Sequence, residues 1–267
     1  MDESSKASPA ENLVPINMGH NIILIGDHKQ LPPVITREEA VKQKVKDKLE
    51  DNGLDIEKEF GESLFEKLIT EFEANQNLQS YIKMLDIQYR MPRQIGNLIS
   101  RFFYDSKLKN PSTTLLPNFD KDKFHDLKFK QPNTSIFDTA ENKEIEVPNS
   151  VIFVSTSNQL NPNDNDNKFQ RQNECNKNSI KEVLKQLDKL YPDNLKREKP
   201  FTIGVIAGYR GQVNLLKDSI DLLQYKNFVM TDEEGKSEPL VEINTVDKFQ
   251  GAERDIIIYD IVKSSKG

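Results

Sequence analysis

The sequence has one cysteine, Cys175, and three scattered histidines, His20, His28 and His125. A lone thiol excludes an internal disulfide and suits a reducing compartment. One cysteine with scattered histidines also leaves no zinc cluster to read. No apolar run approaches the ~18 residues of a membrane span, and the acidic N-terminus lacks the basic and apolar regions of a secretory leader. The chain therefore reads as intracellular, cytoplasmic or nuclear, with no membrane partner. An excess of positive charge is missing too: 37 Lys and Arg stand against 43 Asp and Glu, a net charge of −6. That excludes a global basic footprint, so any contact with nucleic acid must use a local groove.

What is present is enough chain for one large domain or two smaller ones, at 267 residues. Hydrophobic residues make up 36% and charged residues 30%, which predicts a core with a generous charged surface and long polar loops. Short apolar runs at 21–26, 82–87, 151–154, 201–207, 241–246 and 255–261 read as strands. Helical spacing is carried by 37–52, a densely charged segment, by 62–72, and by Ile95, Leu98, Ile99, Phe102 and Phe103. It recurs in Ile180, Val183, Leu184, Leu187 and Leu190, and over 211–223. Residues 156–178 are rich in Asn and Asp and read as a mobile loop. Strands alternating with helices predict an α/β fold with a parallel, doubly wound sheet. Its strands would be buried on both faces, as the run Ile256-Ile257-Ile258-Tyr259 suggests.

In such sheets ligands bind beyond the carboxyl ends of the strands. Polar groups fall there: Asp27 and Gln30, Gln88 and Arg90, Tyr209, and Asp247 and Gln250. The opening pair Asp2-Glu3 offers one carboxylate to orient the water shell of a magnesium ion and a second to accept a proton from an attacking water. Gln30 both donates and accepts, and suits a γ-phosphate or its water. Arg90 brings a planar, permanently charged fork for phosphate, and Tyr89 beside it a face for stacking on a base. Tyr209 and Gln212, where a strand turns into a helix, suit contact with a single strand. Gly251 permits close backbone approach to a ligand. Gly235-Lys236-Ser237 resembles the end of a phosphate loop, but that motif needs a glycine where Met230 stands. It reads as a turn, and no complete phosphate loop occurs in the chain. Taken singly, each of these features is also ordinary surface, loop or helix-start chemistry.

Their order is what distinguishes them. Asp-Glu-Ser-Ser-Lys-Ala, Gly-Asp-His-Lys-Gln-Leu-Pro-Pro, Gln-Tyr-Arg-Met, Ala-Gly-Tyr-Arg-Gly-Gln and Thr-Val-Asp-Lys-Phe-Gln-Gly-Ala-Glu-Arg-Asp follow one another. This series resembles the superfamily 1 helicases of the nonsense-mediated-decay and transcription-termination type, from motif II to motif V. The resemblance implies two RecA-like P-loop NTPase halves in tandem, over 1–85 (the first, incomplete) and 86–267. It implies ATP and Mg²⁺ as cofactors, single-stranded RNA or DNA as partner, regulatory protein partners, and translocation 5′ to 3′. It implies Asp2 as the magnesium-holding acid, Glu3 as the general base, Gln30 as the γ-phosphate sensor, Arg90 as the arginine reaching that phosphate, and Tyr89 as the aromatic beside adenine. Tyr209, Gln212, Thr245 and Val246 would meet the strand, and Gly251 and Glu253 would face the nucleotide. The family's His-Pro after Gln-Tyr-Arg-Met is here Pro92-Arg93. The phosphate loop and the last arginine motif are absent, which implies a piece of a helicase, inactive alone for want of a grip on the β- and γ-phosphates. The rival expectation is a non-catalytic module that binds nucleic acid or protein. A third is a chain whose open sheet edge prevents stable folding.

Overall fold

The computed structural model describes residues 2–32, 63–112, 151–156, 159, 163–165, 167 and 170–264. The chain divides into two units, Met1–Phe124 and His125–Gly267. The charged helix expected over 37–52 lies outside the described residues, as does the first residue of the helix expected over 62–72.

In the first unit, helix α1 (Pro9–Met18) starts from a capping box. Ser8 Oγ accepts from Glu11 N at 3.4 Å, and Glu11 Oε2 accepts from Ser8 N at 2.7 Å. Proline at the first helical position has no N–H to leave unsatisfied. The Ser-x-x-Glu spacing signals this start in sequence, although periodicity did not predict the helix. Helix α2 (Leu64–Ala74) turns Phe65 inward. Helix α3 (Arg93–Phe103) follows Pro92, in keeping with the extended conformation of the residue ahead of it.

The strands expected at 21–26, 82–87 and 151–154 form no ladder among the described residues. The pairing there amounts to an isolated parallel bridge between Ile87 and Lys109. An apolar run marks a candidate strand, but a strand also needs a partner's backbone groups. Residues 22–25 instead lie beside the acidic start of the chain, with Ser4 N donating to Ile25 O at 2.8 Å.

The second unit contains the sheet. Strands β1 (Ile203–Ala207), β4 (Val241–Thr245) and β5 (Ile256–Asp260) run parallel in the order β4-β1-β5. This is the α/β parallel architecture expected. Helix α4 (Glu174–Leu190) contributes Ile180, Leu184 and Leu187 to the core, and helix α5 (Arg210–Ser219) contributes Val213 and Leu216. They pack with Ile203, Val205 and Ala207 of the central strand. Each such Ile, Leu or Val side chain contributes about 1.5–3 kcal/mol on full burial. Helix α5 stops at Ser219, short of the predicted 223, and a 3₁₀ turn over Leu222–Gln224 follows. Strands β2 (Val229–Thr231) and β3 (Ser237–Pro239) make an antiparallel hairpin. Gly235, at φ +81°, sits with Lys236 in its turn, as expected, while Ser237 opens β3. A short helix, α6 (Val246–Phe249), follows β4 directly.

Two further expectations need correction. The Asn-rich stretch does not run loose to 178: helix α4 begins at Glu174, capped by the Asn173 side chain accepting from Asn176 N at 3.0 Å. Asparagine is among the preferred residues at that position, and composition alone hides this. Strand β5 is not buried on both faces, since Ile257 and Tyr259 are 50% and 61% exposed. It lies at the edge of the three-stranded sheet.

Candidate functional site

In the first unit, the acidic start and the loop after residue 26 are laid side by side. Besides the Ser4–Ile25 bond, Asp27 N donates to Ser5 Oγ at 3.0 Å. A Cβ on Gly26 would stand 2.8 Å from Ser5 N, so only glycine lets these two segments approach this closely. Asn12, fully buried, donates from Nδ2 to Ser4 O at 3.0 Å and to Ala7 O at 3.2 Å, fastening α1 to the same segment. The sequence thus brings Asp2 and Glu3 into one neighbourhood with Asp27 and Gln30.

Asp27 organises the loop. Its Oδ1 accepts from Lys29 N at 3.1 Å, and its Oδ2 accepts from Gln30 Nε2 at 2.8 Å and from the Tyr104 hydroxyl at 2.5 Å. Burial and the Asp27 carboxylate push the Tyr104 phenol up, so it stays protonated and donates. Gln30 is exposed, its amide steadied by Asp27. Glu3 is exposed, sits at φ 54° in the left-handed region, and pairs with Lys6 Nζ at 3.1 Å. Asp2 is exposed and its Oδ1 accepts from Glu3 N at 2.9 Å. Among the described residues, no group of three or more His, Cys, Asp or Glu side chains is placed to hold a metal. A single exposed carboxylate does fit Mg²⁺, which keeps most of its water and uses phosphate oxygens for the rest.

Tyr89 and Arg90 are exposed on a turn stapled by Gln88. Gln88 Oε1 accepts from Arg90 N at 3.0 Å and Met91 N at 2.7 Å, while its Nε2 donates to Met91 O at 2.7 Å and Asn110 Oδ1 at 2.8 Å. Gln88 is therefore the frame that presents its two neighbours.

In the second unit, strand register gathers the expected strand contacts. Ala207 pairs with Thr245 on one side and Asp260 on the other, so all three lie in one row at the carboxyl edge of the sheet. Tyr209 leaves from β1 at this edge, and Thr245 and Val246 leave from β4. Gly251, at φ +80°, and Glu253 are exposed in the loop leading to β5. That loop runs toward the opposite edge, because the next residue, Arg254, pairs with Glu242 near the start of β4. The structure thus groups Tyr209, Thr245 and Val246, and sets Glu253 apart from them.

Gln212 is fully buried. Its Oε1 accepts from Asn173 N at 2.7 Å, and its Nε2 donates to Asn173 O at 3.1 Å and to Asp260 Oδ2 at 2.8 Å. Asp260 accepts further bonds from Asn176 Nδ2 at 2.7 Å and Val262 N at 2.8 Å. Burial raises the Asp260 carboxyl above its ordinary value despite these donors. Sequence reasoning missed Asp260, Asn173 and Tyr104. Asn173 had a signal as a helix cap; a lone Asp inside an apolar strand and a Tyr after an apolar helix had none.

Two family models and a set of relatives match this chain. One AAA domain family matches residues 60–267, and a second AAA domain family matches residues 1–38. The chain is 28% identical over 279 residues to the DNA replication ATP-dependent helicase/nuclease DNA2 of Bos taurus, covering 100% of this chain and 21% of that protein. It is 28% identical over 267 residues to the Regulator of nonsense transcripts 1 homolog of Neurospora crassa, covering 100% of this chain and 19% of that protein. It is 25% identical over 276 residues to Helicase sen1 of Schizosaccharomyces pombe, covering 99% of this chain and 12% of that protein. The chain belongs to the AAA domain family, in the superfamily 1 helicase branch of the nonsense-transcript-regulator and Sen1 type. It spans between 12% and 21% of the length of these three relatives. No helix among the described residues is long and apolar enough to cross a membrane.

Proposed function

We propose that this chain is part of an ATP-dependent helicase or translocase that couples ATP hydrolysis to 5′-to-3′ movement on single-stranded RNA or DNA. The observation that carries this reading is the pairing of the acidic start with the Asp27–Gln30 loop through Ser4 N to Ile25 O and Asp27 N to Ser5 Oγ. It puts two carboxylates and a steadied glutamine in one neighbourhood, as hydrolysis of a γ-phosphate requires. Asp2 would hold Mg²⁺, whose chemistry is to neutralise charge on the phosphate oxygens. Glu3 would accept the proton of the attacking water, Gln30 would orient that water, and Arg90 would meet the phosphate from the Gln88 turn with Tyr89 beside the base. Gly251 and Glu253 are assigned to the nucleotide by motif order. Tyr209, Thr245 and Val246 form the strand-facing edge, and Gln212 supports it from within. The motifs divide the two RecA-like halves at residue 85, while packing divides the chain after Phe124. The phosphate grip is not encoded in these residues, so hydrolysis is assigned to a protein that carries this chain together with a phosphate loop.

In such a protein, Glu3→Gln should retain nucleotide binding and lose turnover by about 100-fold or more, the contribution of a positioned general base. ATP turnover at the parental rate would remove Glu3 from the role. The relatives' names speak of DNA replication and of nonsense transcripts, so competition between labelled RNA and DNA oligonucleotides is the assay that assigns the strand.

A further inference from the structure

The Asn- and Asp-rich residues ahead of α4 are built onto the turn that carries Tyr209. Asp164 is buried and ion-paired with Arg171. Its Oδ1 accepts from Ser264 Oγ at 2.7 Å, which anchors it to the chain beyond β5. Asn165 ties the arms of the segment together: its N donates to Gln172 O at 2.9 Å and its Oδ1 accepts from Gln172 N at 3.0 Å. Gln172 Nε2 donates to Gly211 O at 3.2 Å. A Cβ on Gly211 would stand 2.7 Å from the carbonyl carbon of Gln170 and 2.9 Å from Arg171 O, so the segment lies directly on the first turn of α5. The Arg171 guanidinium carbon sits 5.4 Å from the centroid of the Tyr209 ring. None of the motifs includes Asp164 or Arg171.

We propose that Arg171 is a positioning residue for strand binding: locked by Asp164, it backs one face of the Tyr209 ring and thereby fixes the face offered to a base. This rests on reading Tyr209 as a stacking residue of the strand-facing edge. A guanidinium can meet a carboxylate along its edge while its plane lies on an aromatic ring, and an ammonium cannot do both. Backing of this kind removes ring rotamers that stacking would otherwise have to freeze. The charge of Arg171 is answered by Asp164, so it acts on Tyr209 rather than on a phosphate. A cation that neutralises a phosphate changes the salt dependence of binding by about one unit of slope; Arg171 changes affinity and leaves the slope alone.

The chain contains no tryptophan, so Tyr209→Trp supplies a single fluorescent reporter. In that background Arg171→Lys, which keeps a charge opposite Asp164, should increase acrylamide quenching of the indole without shifting the midpoint of thermal unfolding. In the otherwise native 267-residue chain, Asp164→Asn with Arg171→Gln, which removes both charges together, should weaken binding of fluorescein-labelled oligouridylate or oligothymidylate about two- to fivefold at unchanged salt slope. If Arg171→Lys fails to fold, the same double substitution in the Tyr209→Trp background is held to the quenching readout. Unchanged quenching, unchanged affinity beside a weakened Tyr209→Ala, or a slope reduced by one overturns the inference alone. Tyr209→Ala binding as tightly as the parent overturns the stacking reading itself, and the inference with it.

Discussion

Gln212→Leu separates an internal support from a strand contact. Leucine is close to glutamine in volume, so the substitution removes hydrogen bonding with little cavity. Gln212 is fully buried and makes bonds of 2.7 Å and 3.1 Å with the Asn173 backbone and 2.8 Å with the Asp260 carboxylate. The bond to the charged group contributes about 1.5–3 kcal/mol, and the stranded Asn173 N–H costs about 1–3 kcal/mol more. The expected destabilisation is therefore about 3–5 kcal/mol, seen as a lower midpoint in urea unfolding followed by far-UV circular dichroism. Any loss of oligonucleotide binding should vanish once the signal is corrected for the unfolded fraction. A destabilisation below about 1 kcal/mol, with strand affinity lost at full folding, would refute the internal role and return Gln212 to the strand.

Two further perturbations follow from the same geometry. Gly96→Ala would place a methyl 2.4 Å from Asn110 Oδ1 and 2.8 Å from Gln88 Nε2, so it should cost about 1–3 kcal/mol and loosen the turn that presents Tyr89 and Arg90; amide exchange over 88–91 no faster than in the parent would contradict this. Asp260 titrates above its ordinary 3.8 because of burial, so the folded state holds its proton to higher pH than the unfolded chain does. Its contribution is fully present below the ordinary value and is lost as pH rises through the raised one. Urea midpoints of the parent, relative to Asp260→Asn, should fall over that window, and a flat difference between the two would dismiss the assignment.

The sheet was legible because it combines two independent signals, apolar runs at 203–207, 241–245 and 256–260 and helical spacing in Ile180, Leu184 and Leu187. The family was legible because motif order is a property of the whole chain, which no single residue of the site possesses. Periodicity failed where pairing decides the outcome: the apolar runs at 21–26 and 82–87 read as strands, yet a run makes no sheet until a second backbone answers it. It failed again before α4, where Asn-rich composition suggested disorder and Asn173 instead caps a helix. Gln212 illustrates a different limit. Its motif marks it as important, but whether an amide faces solvent or an interior carboxylate depends on Asp260, 48 positions further along.

The row shared by Ala207, Thr245 and Asp260 acts as a levelling course. Three loops leave the sheet at one height because three five-residue strands end together. Removing one residue from any strand would lower its loop by about 3.3 Å and turn every later side chain to the wrong face. Changes of length between the strands leave the row intact. Insertions and deletions among relatives should therefore collect in the connections, while the span of each strand stays constant.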